Sequence, residues 1–117
     1  MIDTTLVQRL YKNLLAVQRA RKTTTYLTEG KKLGRKDGRF LWRPLWVLGQ
    51  YCLDHKAPCI NALVTLADGR AGRGTVTHHG RPPLQEILAV LRERTLPKPS
   101  PKEIRAIWAR LQKQWEA

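Results

Sequence analysis

The sequence predicts a mainly helical α+β fold: an N-terminal helix, a compact run of helices closed by a two-stranded hairpin, and two C-terminal helices. Three observations predict it. Apolar residues recur at helical spacing near both ends of the chain, an apolar strand-like stretch runs into Asp68-Gly69 between them, and Gly or Pro punctuates the changes of pattern. The 117 residues suffice for a single domain with an ordinary core. Hydrophobic residues make up 42 % of the chain, too many for a disordered one. Within that domain, residues 1–22 read as the N-terminal helix, 23–76 as the core and 82–117 as a helical extension.

The first helix carries Val7, Leu10, Leu14 and Val17 on one face, widened by Leu6 and Leu15. Asp3 or Thr4 can cap it, and Arg19, Arg21 and Lys22 suit the negative end of its dipole. The β-branched run Thr23-Thr24-Thr25 with Tyr26 favours a short extended segment. Thr28 to Leu33 reads as a short helix ended by Gly34, and Gly38 marks a second turn. Leu41, Leu45, Leu48 and Cys52 then line the next helix, over 41–55. Pro44 is tolerated only in its first turn, which puts the start near Trp42 or Arg43, and Ala57-Pro58 ends it. Asn61 to Leu66 reads as a strand, Asp68-Gly69 as a hairpin turn and Ala71 to Val76 as the return strand. Pro82-Pro83 open a helix with Leu84, Ile87, Leu88 and Leu91 on one side. After the stiff connector Leu96-Pro97-Lys98-Pro99, Ser100 and Glu103 form a capping box around Pro101. The last helix shows Ile104, Ile107, Trp108, Leu111 and Trp115. Helices followed by a hairpin outline a winged helix-turn-helix.

Charge is the second signal. The chain holds 22 Lys and Arg against 9 Asp and Glu, a formal net charge of +13. Between Arg19 and Arg43 nine residues are basic, and only Glu29 and Asp37 oppose them, a local net of +7. Tyr26, Phe40, Trp42 and Trp46 interleave with this stretch. Clustered cations with aromatics suit a polyanion, and each phosphate they neutralise releases counterions, so binding to nucleic acid is expected to be salt-dependent. Lys31, Lys32, Arg35, Lys36, Arg39 and Arg43 sit in turns and helix ends where long side chains are readily exposed. Arg70 and Arg73, at the hairpin tip, are placed to grip flanking backbone.

Residues 23–74 resemble the winged-helix domain of the alkyltransferase-like and O6-alkylguanine-DNA alkyltransferase proteins. Three pieces carry the resemblance in order: Thr24-Thr25-Tyr26 with a short helix ending Lys32-Leu33-Gly34, then Pro58-Cys59, then Asp68-Gly69 with Gly72 and Gly74. It implies that Tyr26 contacts a DNA phosphate, and that Arg39 or Arg43 takes the place of the arginine at the start of the recognition helix. It does not imply alkyl transfer. The family's reactive motif is Pro-Cys-His-Arg, whereas Cys59 is followed by Ile60 and Asn61, so no histidine can activate the thiol. The chain also has the look of small basic proteins carried by phages and mobile elements.

Other chemistry is excluded residue by residue. Cys52 and Cys59 are too few for a disulfide framework and read as reduced thiols of a cytoplasmic protein. The adjacent pair His78-His79 lacks zinc-ligand spacing to either cysteine, so no metal is expected. The glycine-rich piece from Asp68 to Gly74 lacks the Lys-Ser/Thr ending of a phosphate loop. No paired carboxylates or Ser/His/Asp set can be assembled, and no apolar run spans a bilayer. The expectation is therefore a non-enzymatic, cofactor-free binder of nucleic acid. Duplex DNA with low sequence specificity is favoured, although charge alone does not separate DNA from RNA. Trp42 and Trp46 are expected in the core, with base stacking as the alternative. The rival from a different class is a small effector that docks on a nucleic-acid enzyme or ribonucleoprotein, anchored by Trp108 and Trp115.

Overall fold

The computed structural model describes residues 2–69, 81–92 and 96–116. It is mainly helical, with a two-stranded parallel sheet. Helix α1 (Thr4–Arg19) leads to strand β1 (Thr24–Thr25) and helix α2 (Tyr26–Lys32); a 3-10 turn at Arg39–Leu41 runs into helix α3 (Trp42–Asp54). A second 3-10 turn, Ile60–Leu63, precedes strand β2 (Val64–Thr65), and helices α4 (Pro83–Arg92) and α5 (Pro101–Glu116) complete the described elements.

Helix α3 is the hub. It packs on α1, on α5 and on both 3-10 turns. Leu41, Leu45, Leu48 and Cys52, the expected inward face, are all buried, and so are Val47 and Tyr51. They meet Val7, Leu10, Leu14 and Val17 of α1 and Ile104, Ile107 and Leu111 of α5 in one core. Asp3 Oδ1 caps α1, accepting from the Leu6 amide at 3.0 Å, and Ser100 Oγ accepts from the Glu103 amide at 3.1 Å, one half of the expected capping box. The Glu103 carboxylate meets His55 Nε2 at 3.0 Å, and an Arg110–Asp54 ion pair also joins α5 to α3.

Three helices end in the same device. The amides of Lys22, Arg35 and Ala57 bond back to the carbonyls of Val17, Gly30 and Cys52, each six residues within the turn. The residue before each of them is left-handed: Arg21 and Lys56 at φ 55° and Gly34 at φ 80°. Arg21→Gly is therefore expected to stabilise the fold by roughly 1 kcal/mol, measured by urea denaturation, because glycine enters this conformation without steric cost.

Two expectations are corrected. Asn61 to Leu66 is not a full strand: Asn61 is buried in a 3-10 turn, and only Val64 and Thr65 are extended. Among the described residues these pair in parallel with Thr24 and Thr25, a pairing that the sequence did not suggest. The pairing joins segments about forty residues apart, and local β-propensity carries no information about it. The turn itself forms, with the Gly69 amide on the Leu66 carbonyl at 2.9 Å, while the return strand at 71–76 lies outside the described residues. In α4 the expected Ile87 and Leu91 pack against the core, but the buried residues are Glu86 and Val90, whereas Leu84 is 69 % exposed and Leu88 45 %. Polar ties set that rotation: Gln18 Nε2 donates to the Val90 carbonyl at 2.6 Å, and Arg81 faces Glu86.

The connector before α5 is strapped down by tyrosines. Tyr11 Oη donates to the Leu96 carbonyl and Tyr51 Oη to that of Pro97, both at 2.6 Å, and Gln8 Nε2 donates to that of Pro99 at 2.9 Å. The prolines have no amide with which to continue a regular ladder, so side chains from α1 and α3 hold the strap. The two phenol rings pack edge to face with centroids 6.1 Å apart. Tyr51→Phe is expected to cost about 1 kcal/mol in urea denaturation, the net value of one such hydrogen bond, with no change of fold by circular dichroism.

Candidate nucleic-acid interface

The basic segment folds into a helix end, a tight loop and a helix start. Its shape depends on two close approaches. A Cβ on Gly30 would lie 2.1 Å from the Asp37 carbonyl oxygen, and one on Gly38 would lie 2.2 Å from that of Tyr26. Backbone therefore sits directly on backbone, and the loop 35–38 is pressed against α2. Within it, Asp37 Oδ1 accepts from the Arg39 amide at 3.0 Å.

The cations divide into groups. Lys31, Lys36 and Arg39 are exposed, and the Arg39 side chain is 92 % exposed with only a loose 3.4 Å approach to Asp37. Such a surface pair holds the arginine weakly and leaves it able to meet a phosphate. Lys32 is different: its Nζ lies 2.9 Å from Glu29 Oε2, which also accepts from Thr24 Oγ1 at 2.7 Å. Glu29 is fully buried, so the partly exposed Lys32 answers a buried carboxylate and has a structural role of its own. Tyr26 is half-buried against the core, with its backbone under Gly38.

Arg35 and Arg43 form the third group, each lying on an aromatic ring. The Arg35 guanidinium is 5.2 Å from the centre of Phe40, and that of Arg43 is 5.1 Å from Trp42 and 5.9 Å from Trp108. Trp42 is 44 % exposed, so it leaves the core expected for it, and its ring centre is 6.3 Å from that of Trp46. Trp108, offered above as a partner anchor, is instead a core residue at 6 % exposure. The side chain of Trp115, and Arg70 and Arg73, lie outside what is described.

Between these groups and the N-terminal turn of α1 lies an open cleft of about 350 Å³. Ile2, Leu6, Val7 and Pro44 supply apolar lining; Phe40, Trp42 and Trp108 supply aromatic surface; Arg35, Arg43 and Asp3 bring charge. The sequence pointed to Arg35 and Arg43 but not to the convergence of Phe40, Trp42 and Trp108 on them. The i, i+4 spacing of Trp42 and Trp46 was the available signal, and a one-residue offset places Arg43 beside it.

Cys59 is far from this chemistry. It is fully buried, and its thiol donates to the Gly49 carbonyl at 3.6 Å. Burial, reinforced by the neighbouring Cys52, pushes its pKa up, and burial pushes that of Cys52 up to about 11. Neither thiol is expected to react with a thiol-directed alkylating reagent at mildly alkaline pH until the protein is denatured. Mass spectrometry with and without denaturant checks this, and labelling of the native protein would contradict it.

Comparison with protein-family models, curated proteins and solved structures finds no match. No described helix is long and apolar enough to cross a membrane.

Proposed function

We propose that the protein binds nucleic acid without catalysing a reaction, most favourably duplex DNA, with little sequence preference. The observation that carries the reading is the exposed set Lys31, Lys36 and Arg39, in one basic segment with Arg35 and Arg43, which lie over aromatic rings. In this reading the set neutralises phosphates along the backbone, contacts that position a protein without reading bases. Helix α3 has most of its surface in the core, and towards this segment it presents its first turn, with Trp42 and Arg43. Under a winged-helix arrangement, which the resemblance of residues 23–74 suggests, Tyr26 sits beside that edge and Arg70 and Arg73 extend the grip. A phage or mobile-element origin accords with the small, strongly basic chain.

The reading is tested by fluorescence anisotropy of a labelled duplex, titrated at low and near-physiological salt against RNA hairpin and single-strand competitors. Sub-micromolar affinity that falls steeply with salt and prefers duplex DNA is the expected result. Equal preference for RNA moves the target to a ribonucleoprotein, and absence of binding at low salt ends the proposal. The effector reading then takes over, without Trp108 as an anchor, because that ring is already occupied by the core.

A further inference from the structure

The cleft at the start of α3 has a composition that a backbone-binding surface does not require. Backbone phosphates need only exposed cations; here two arginines lie over aromatic rings, and an indole stands half exposed beside them. Arg43 is flanked by Trp42 and Trp108 at 5.1 and 5.9 Å, so two rings confine the guanidinium at the cleft. Neither Arg35 nor Arg43 is ion-paired among the described residues. The one carboxylate at the cleft, Asp3, already accepts the Leu6 amide through Oδ1. Two arginines against one committed carboxylate leave the cleft positive.

A ligand that fits must join a flat π-face to an anion. The geometry points to a nucleotide: one unpaired base stacked on Trp42 at the mouth of the cleft, its phosphate met by Arg35 and Arg43. The volume of about 350 Å³ is at the small end of ligand sites, which run from roughly 300 to 1,000 Å³, and suits a single nucleotide better than an oligomer. The buried Cys59 does not line this cleft, so the site is separate from the thiol. This inference rests on the nucleic-acid reading and adds to it: the protein favours duplex that ends in, or opens into, a single strand. Base stacking on an aromatic ring is tolerant of sequence, in keeping with weak base preference.

The test compares three probes by anisotropy: a blunt duplex, the same duplex with a short single-stranded tail, and the tailed duplex challenged with millimolar free mononucleotide. The tailed duplex is expected to bind about tenfold tighter than the blunt one, the effect of stacking roughly one base. Trp42→Ala is expected to reduce that ratio below about twofold, and Trp42→Phe to keep most of it. Thermal melts of both variants confirm that the half-exposed position tolerates the change. Equal binding of blunt and tailed duplex by the wild type overturns the inference and leaves the duplex reading standing. Loss of blunt-duplex binding in Trp42→Ala equal to the loss of tailed-duplex binding also overturns it. Displacement of the tailed probe by mononucleotide supports the site and extends it to free nucleotides. Mononucleotide quenching of Trp42 fluorescence without any duplex binding supports the site and ends the duplex reading; no binding of any probe ends both.

Discussion

Replacing Lys31, Lys36 and Arg39 together by Glu is expected to lower duplex affinity about 100-fold or more at low salt, because three phosphate contacts are lost and three repulsions replace them. The same variant is expected to flatten the dependence of log affinity on log salt by about 2.7, roughly 0.9 for each contact removed. Both values come from one anisotropy series at several salt concentrations. These three side chains are exposed, so folding stability is expected to stay within about 0.5 kcal/mol of the wild type. That separation makes the experiment decisive: an unchanged salt slope in a folded variant would place the interface elsewhere on the molecule. Lys32 is left out of the set because its removal takes the counter-ion from the buried Glu29 carboxylate. Arg35 and Arg43 are left out because they also stack on rings.

The second large effect is structural. Gly38→Ala places a methyl group 2.2 Å from the Tyr26 carbonyl oxygen and 2.4 Å from its carbon, so the loop must move away from α2. Gly30→Ala does the same against the Asp37 carbonyl at 2.1 Å. Neither neighbour is a flexible side chain that could swing aside. Each substitution is expected to cost about 3 kcal/mol or more, even though alanine is the better helix former at position 30. For a chain of 117 residues, whose expected stability is roughly 6 to 18 kcal/mol, that is a large share. Urea denaturation gives the loss directly. Affinity is expected to fall as well, since Lys36 and Arg39 ride on the displaced loop; a variant with unchanged stability would mean that the loop gives way easily.

The sequence was most informative where the signal is local. Asp3, Ser100 and Pro44 fix helix starts through hydrogen bonds and ring sterics within one turn, and the stripes of α1, α3 and α5 report a buried face by periodicity alone. It was silent where a partner lies far along the chain. The parallel pairing of Thr24-Thr25 with Val64-Thr65, the tie from Gln18 to α4 and the approach of Trp108 to Arg43 are such cases. The rotation of α4 shows the limit of periodicity: Leu84 and Leu88 satisfy the apolar pattern, yet Glu86 and Val90 are inside. At the interface, clustering of charge was legible, but which cation is committed was not. Lys32 looks like its neighbours until the burial of Glu29 is known. The left-handed Arg21 and Lys56 were hidden too, because glycine is the usual sign of that helix ending.

The strap made by Tyr11 and Tyr51 has a consequence for the order of events as the chain is made. The first helix touches the last, and the hub helix is closed on one side only when α5 arrives. A ribosome releases residues from the N-terminus at about 5 to 20 per second. The basic segment therefore emerges seconds before the helix that completes its surroundings, with Trp42 and Arg43 still lacking Trp108. During that interval the nascent protein carries its full local charge without a finished cleft. Under the proposed reading, selectivity for a particular polyanion is deferred until synthesis of α5 is complete, while plain electrostatic attraction precedes it.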